Sequence, residues 1–268
     1  MNSGKRQQPL VLLTLAGFWV LSGATQATVI NLDVNGYAGT SGDGSVVNVR
    51  NFSGQGVLGS GSWTATNDTG SGTRSFSSLP QANGTATSVQ VQLTNITNGF
   101  AQQNPPAGYG QDLMRDYLYL DHGSAPRTSI LTISGLNTMS GYVSGVTRFD
   151  IAIYSSARIS NDASAWTLDG TTKTSGVSDV TSPTEFLEGN DYVLFSGIAD
   201  NSGTITGTWT QAGSDRFSSF NGIQIVAVPE PSTVALLGIS AMLPLLGVRR
   251  NLRERPAAIS QFRPLSGS

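Results

Sequence analysis

The chain has 268 residues, no cysteine, a single histidine and a formal net charge of −2 at neutral pH. Without cysteine, disulfides, thiolate catalysis and cysteine-ligated metal sites are excluded. Residues 28–227 alone contain thirteen Asp and two Glu against seven Arg and one Lys, a net charge of −7, because many basic residues lie near the two ends. Such an acidic segment disfavours nucleic acids and anionic lipids as partners.

The first 27 residues have the layout of a secretory signal peptide. Lys5 and Arg6 precede an apolar run at residues 10–21, and small residues then lead to Ala27. A positive segment, a short apolar core and small residues before a cleavage point are typical of export signals. We therefore predict that residues 1–27 are removed after Ala27.

Residues 28–227 are predicted to form one all-β domain. Gly, Ser, Thr and Asn are abundant, good helix formers are scarce, and short runs of β-branched or aromatic residues recur. The predicted strands cover residues 29–34, 46–49, 88–94, 117–120, 130–133, 149–154, 166–168, 192–195, 204–209 and 223–226. No helical window and no fixed repeat interrupts them, which favours a β-sandwich of jelly-roll type.

Turn signals divide these strands. Asp169-Gly170, between residues 165–168 and 171–174, predicts a hairpin, and Asn98-Gly99 predicts another turn. Residues 54–79 and 97–112 are predicted to be long loops. The series formed by residues 130–136, 149–155, 186–195, 203–206 and 220–226 is similar to galactose-binding-type sandwiches found in jelly-roll ectodomains.

The C-terminal part carries a second targeting signal. Residues 233–248 are sixteen apolar or small residues without charge, and Arg249-Arg250 and further arginines follow. A run of this kind predicts a short membrane helix with the basic tail on the cytoplasmic side. Pro229 and Pro231 flank Glu230 just before it and favour an extended backbone there.

The order of these three parts resembles a PEP-CTERM sorting signal. The matching residues are Pro229, Glu230, Pro231, Arg249 and Arg250, with the apolar run between them. The resemblance implies that residues 228–255 are recognised and removed by an exosortase-type enzyme. Residues 256–268 follow as a basic polar tail, which departs from the family pattern because such signals usually end soon after the arginines. It also implies delivery to the cell surface or exopolysaccharide matrix of a Gram-negative bacterium.

Three tryptophans are the candidate ligand-binding residues. Trp63, Trp166 and Trp209 are able to stack on sugar rings if their faces are exposed, whereas packing in the core is the default for a large aromatic side chain in a sandwich. Trp63 lies among Gly and Ser and is expected to be the most exposed of the three.

No catalytic residue is predicted. The only histidine, His122, is expected to be a loop residue, and the G-x-G-x-x-G match at residues 54–59 lacks the strand and helix of a dinucleotide site. Glu185 and Glu188, and the group Asp112, Asp116 and Asp121, leave a glycoside hydrolase open as the alternative function.

No cofactor is predicted, although a structural calcium ion is possible. Loops rich in Asp, Asn and Gly supply the oxygen ligands that calcium prefers. Asp33, Asp43, Asp191 and Asp200 are the possible contributors.

The sequence as a whole favours an exported, non-catalytic protein that interacts with exopolysaccharide. An extracellular hydrolase using Asp or Glu, and a purely structural or adhesive matrix protein, are the other readings of the same residues.

Overall fold

The computed structural model describes residues 28–35, 53–67, 71–101, 111–114, 116–123, 127–155, 163–176, 185–212 and 216–228. This part of the chain is all-β, with one α-helical turn, α1 (Gln111–Met114), and a 3₁₀ turn at Leu136–Thr138. The strands are, in chain order, β1 (Thr28–Asn35), β2 (Ser53–Gly56), β3 (Gly59–Ser62), β4 (Thr64–Asn67), β5 (Gly72–Leu79), β6 (Val89–Ile96), β7 (Asn98–Ala101), β8 (Asp116–Asp121), β9 (Thr128–Ser134), β10 (Arg148–Tyr154), β11 (Ser164–Leu168), β12 (Thr171–Ser175), β13 (Tyr192–Ala199), β14 (Ile205–Gln211), β15 (Phe217–Phe220) and β16 (Gly222–Val228).

Two larger sheets pack in a sandwich-like arrangement. The five-stranded sheet has the order β13-β10-β16-β1-β4, and the six-stranded sheet has the order β12-β11-β14-β9-β6-β5. A three-stranded sheet, β15-β8-β7, and the β2–β3 hairpin complete the described part. The strands pair antiparallel except β1 with β4, which run parallel.

The main core lies between the sheets because the strands alternate. In β6, Val89, Val91 and Leu93 are buried while the residues between them are half-exposed. A strand places successive side chains on opposite faces, so this period of two gives the sheet one apolar face. Ile151 and Ile153 of β10 enter the same core from the opposing sheet.

A second, smaller core covers the outer face of the five-stranded sheet. Ala152 and Tyr154 alternate with Ile151 and Ile153 along β10 and therefore point the other way. They pack with Trp63, Leu113, Met114 and Phe186, and Val57 and Leu58 of the β2–β3 hairpin lie against them. As a result β16, at the centre of this sheet, is buried from Gly222 to Ala227.

The predicted all-β class is confirmed, and each of the nine predicted strands that fall on described residues is present. The Asp169-Gly170 hairpin is also confirmed: it joins β11 to β12, and its two turn residues have φ values of 47° and 71°. Positive φ at both central positions is the requirement of a type I′ turn. Three predictions lie outside the described residues: the strand at residues 46–49, the export signal at residues 1–27, and the C-terminal signal with its Pro229-Glu230-Pro231 motif.

Two loop predictions are wrong. Residues 54–79 contain most of β2 and all of β3, β4 and β5, and residues 97–112 contain β7 and the start of α1. Asn98-Gly99 lies inside β7 and does not form a turn. Gly56 shows why a glycine in residues 54–79 does not indicate a loop. A Cβ at this position would lie 2.1 Å from Gln224 Oε1. Glycine there permits close packing of the hairpin on the sheet, which does not require a flexible loop.

Candidate functional site

The outer face of the three-stranded sheet carries a row of aromatic side chains. In β8 the residues Asp116, Leu118 and Leu120 are buried, and the alternate residues Tyr117 and Tyr119 are half-buried on the other face. Cross-strand pairing places Phe100 of β7 opposite Tyr117. The alternation of β8 therefore separates its leucines, which join the core, from its tyrosines.

Four rings form a continuous row across this face. The ring centroids lie 5.6 Å apart between Phe100 and Tyr117, 6.4 Å between Tyr117 and Tyr119, and 5.5 Å between Tyr119 and Phe217. Phe100, at one end, is 47% exposed and is among the few large apolar side chains exposed in the described residues. We call these four residues the aromatic row.

A charged pair borders the other end of the aromatic row. The Arg216 guanidinium lies 5.3 Å from the centre of the Phe217 ring, and its Nε and Nη2 atoms donate to the two carboxylate oxygens of Asp121, each at 2.6 Å. This hydrogen bonding lowers the pKa of Asp121 despite partial burial. The Gly123 N–H donates to the same carboxylate. The aromatic row therefore ends in a polar border that is ionised at neutral pH.

An aromatic surface with a polar border suits a partner that has both apolar and hydroxyl-bearing faces. Aromatic rings supply large contact area, and a small number of polar groups fix the orientation of the ligand. Sugar rings have both kinds of surface. The sequence contained a signal for this face, since Tyr117-Leu118-Tyr119-Leu120 alternates, but Phe100 and Phe217 join it only through strand pairing.

None of the three tryptophans presents an exposed face, because all three indoles lie in the interior. Trp166 and Trp209 are 0% exposed and stack on each other at 4.9 Å with an interplanar angle of 10°. Trp63, expected to be the most exposed, is 1% exposed and packs edge-on against Tyr154. A ring without exposed surface offers nothing to a sugar in solution. Core packing therefore holds for all three.

His122 is buried directly after β8 and both of its ring nitrogens are used. Its Nδ1 accepts the backbone N–H of Arg127 at 2.9 Å, so the proton lies on Nε2, which donates to Ser218 Oγ at 3.0 Å. Burial lowers the pKa of His122, which favours this neutral form. The histidine joins the end of β8 to β15, which is a structural role.

The carboxylates considered for hydrolysis have different surroundings. Glu188 forms an exposed ion pair with Lys173 at 3.1 Å, and Glu185 is exposed. Asp121 is held by Arg216 with a lowered pKa, which is the opposite of what a general acid requires. Asp116 is buried. The Asp112 side chain lies outside the described residues.

The aspartates considered for calcium also have distinct surroundings. Asp191 accepts the Leu187 N–H at 2.8 Å, and burial raises its pKa. Asp200 accepts from the Tyr142 hydroxyl and the Gly203 N–H, and Asp33 is buried in β1. Asp43 lies outside the described residues. Within the described ranges, no three His, Asp or Glu side chains are gathered as a metal site.

Comparison with protein families and with curated proteins finds no match for this chain. Among the described residues, neither helical segment is long and apolar enough to cross a membrane. The predicted membrane segment at residues 233–248 falls outside them.

Proposed function

We propose that the protein is an exported, non-catalytic component of the cell surface or extracellular matrix that binds polysaccharide through the aromatic row. Export through residues 1–27 and sorting by an exosortase-type enzyme through Pro229, Glu230 and Pro231 rest on the sequence resemblance. The sandwich-like packing of mostly antiparallel sheets supports a jelly-roll, galactose-binding-like domain as the binding unit.

One observation carries the binding proposal: four aromatic rings form a row on the surface of a sheet and end beside an ionised Arg–Asp pair. Apolar side chains exposed singly are ordinary on protein surfaces. Contiguous apolar patches rimmed by polar residues mark interaction sites, and the aromatic row with its polar border is of this kind.

Removing the exposed ring should weaken polysaccharide binding. We expect Phe100→Ala to lower affinity for the host's exopolysaccharide by about two- to tenfold, since a ring contact is worth about 0.5–1.5 kcal/mol and about 1.4 kcal/mol corresponds to tenfold. Affinity electrophoresis in gels containing the polysaccharide measures this. Ile130→Ala is the matched control, because Ile130 is 45% exposed and lies on the six-stranded sheet. Equal retention of both variants with the wild-type protein would remove the aromatic row from the proposal.

The same experiment separates binding from hydrolysis. Retention without released sugar supports a binding protein. Retention with reducing sugar released over time would favour the alternative hydrolase, and Glu185, Glu188 and Asp121 would then be the first carboxylates to replace.

The sorting proposal makes a separate prediction. Replacing Pro229-Glu230-Pro231 by three alanines should leave an unprocessed precursor in the membrane fraction, because the extended recognition segment before the membrane is lost. Intact-mass analysis of each cell fraction measures this. The wild-type protein should begin near Thr28 and end near residues 229–231. Normal release of the alanine variant would mean that another feature directs sorting.

A further inference from the structure

The first strand begins and the last strand ends at the same end of the five-stranded sheet. Thr28, the first residue of β1, pairs with Ala227 near the end of β16. The last residue of β16, Val228, pairs with Arg148 at the start of β10. The chain before Thr28 and the chain after Val228 are therefore both joined to the domain here. We call this end of the sheet the exit end.

A loop at the exit end presents an exposed valine. Residues 139–147 lead from the 3₁₀ turn to β10, and we call them the exit loop. The Thr28 hydroxyl donates to the Ser140 carbonyl at 3.0 Å, which places this loop beside the start of β1. Val143 is 52% exposed, more than Phe100 or Ile130. The exit loop contains no charged residue.

The exit loop is held by hydrogen bonds and by packing, so the exposure of Val143 is part of the fold. The Val143 N–H donates to Thr147 Oγ1 at 2.7 Å, and the Thr147 N–H donates to the Val143 carbonyl at 2.9 Å. The Tyr142 ring stacks on Phe149 with 6.4 Å between centroids, and its hydroxyl donates to Asp200 at 2.7 Å. Tyr142 is thus anchored to the sheets, while Val143 beside it stays in water.

The proposed membrane segment starts close to the exit end. It begins at Thr233, five residues after Val228. Five residues of fully extended chain span at most about 18 Å, so a segment inserted in the bilayer keeps the exit end within about that distance of the hydrocarbon core. Such a tether raises the effective concentration of the exit loop at the lipid surface, where even a small apolar contact becomes populated.

We propose that the exit loop contacts the lipid surface in the membrane-held precursor, with Val143 in the interfacial region. This inference rests on the proposed function, because the sorting signal supplies the tether. Apolar surface is stabilised by leaving water, and an uncharged loop enters the interface without desolvating an ion. Arg148 and Asp200, the charged residues named beside the loop, are of opposite sign. The contact orients the domain so that residues 229–231 lie between the exit end and the bilayer.

Fluorophores on single cysteines test this in the whole chain, which has no cysteine of its own. The chain is reconstituted in phosphatidylcholine vesicles with nitroxide-labelled lipid, since an acidic domain is repelled by anionic lipid. We expect a fluorophore on Ser144→Cys to be quenched at least twofold more than one on Thr128→Cys. Both positions are exposed, but Thr128 lies at the end of β9 that is farther from the exit loop along the chain. A fluorophore on Ser240→Cys reports insertion of the apolar segment.

The insertion label separates this inference from the sorting proposal. Quenching at Ser240 with no more quenching at Ser144 than at Thr128 would overturn the inference and leave the sorting proposal standing. An unquenched label at Ser240 would contradict the membrane-held precursor and remove the inference with it.

A pair of charge variants identifies the contact side chain. We expect Val143→Asp to lower the quenching at Ser144→Cys at least twofold, because a carboxylate resists leaving water. Ile130→Asp is the matched control, since Ile130 is 45% exposed on the six-stranded sheet and should leave the quenching unchanged. Equal quenching in the two aspartate variants would show that Val143 does not touch lipid, and the inference would be wrong.

Discussion

Replacing Gln224 by leucine is expected to destabilise the protein by about 3–5 kcal/mol, since each buried polar group left without a partner costs about 1–3 kcal/mol. Gln224 Oε1 accepts the Tyr154 hydroxyl at 2.6 Å and the Leu58 N–H at 3.1 Å. Its Nε2 donates to Asn31 Oδ1 at 2.8 Å and to the Gly59 carbonyl at 3.2 Å. Leucine has similar volume but replaces none of these four bonds. Urea denaturation should show a lower midpoint with an unchanged slope.

The loss should be concentrated in the β2–β3 hairpin. The hairpin is also held by the Val57 N–H, which donates to the Tyr154 hydroxyl at 2.8 Å, and by Asn31 Nδ2, which donates to the Ser62 carbonyl at 3.2 Å. Both side chains are also bonded to Gln224: the Tyr154 hydroxyl donates to its Oε1, and Asn31 Oδ1 accepts from its Nε2. Removing the Gln224 amide therefore also weakens the hydrogen bonds by which Tyr154 and Asn31 hold the hairpin. Amide hydrogen exchange should therefore accelerate at residues 53–62 more than in β9 or β14.

Gln92→Leu is the matched control for this substitution. Gln92 bonds Ser75 on the exposed face of the six-stranded sheet, and surface substitutions usually change stability by about 0.5 kcal/mol or less. If the two leucine variants unfold at the same urea concentration, the buried hydrogen bonds of Gln224 contribute no more to stability than the exposed bond of Gln92. Gly56→Ala should resemble Gln224→Leu, because its new Cβ would overlap the Gln224 amide.

The sequence predicted those strands whose apolar residues alternate and whose turns have distinct chemistry. β6 and the β11–β12 hairpin are of this kind, since period-two alternation and an Asp-Gly pair are local signals. The short strands between residues 53 and 67 were missed because they lack such local signals. Their Gly and Ser residues fit a close approach to the sheet, which depends on residues far along the chain.

The site shows the same division between local and long-range information. The two tyrosines of β8 can be placed on one face from the sequence alone, but their neighbours Phe100 and Phe217 require the pairing of three strands. Gln224 reads as the wet position of an alternating strand. It is buried in the structure, and its side chain accepts the N–H of Leu58, which lies 166 residues earlier in the chain. Composition near a residue therefore gave a poor estimate of the exposure of Trp63.

Replacing Trp209 by alanine is expected to lower the free energy of unfolding by about 3–5 kcal/mol, the usual cost of deleting a buried aromatic side chain. Trp209 and Trp166 occupy paired positions on β14 and β11 and stack in the core, with the Phe220 ring 6.3 Å from Trp209. Alanine leaves a large cavity against these two rings. Urea denaturation with calorimetry measures the loss, and Ile130→Ala, at an exposed position, should change stability little.

Trp209→Phe separates the core role from a sugar-binding role. The Trp209 indole N–H is buried without a hydrogen-bond partner, so phenylalanine removes an unmatched donor and keeps most of the apolar contact. We expect less than half of the alanine penalty and unchanged retention by exopolysaccharide at temperatures where the variant is folded. Reduced retention with full stability would instead make Trp209 a ligand contact. That result would require the β11–β14 pair to open, because the ring has no exposed surface in the closed sandwich.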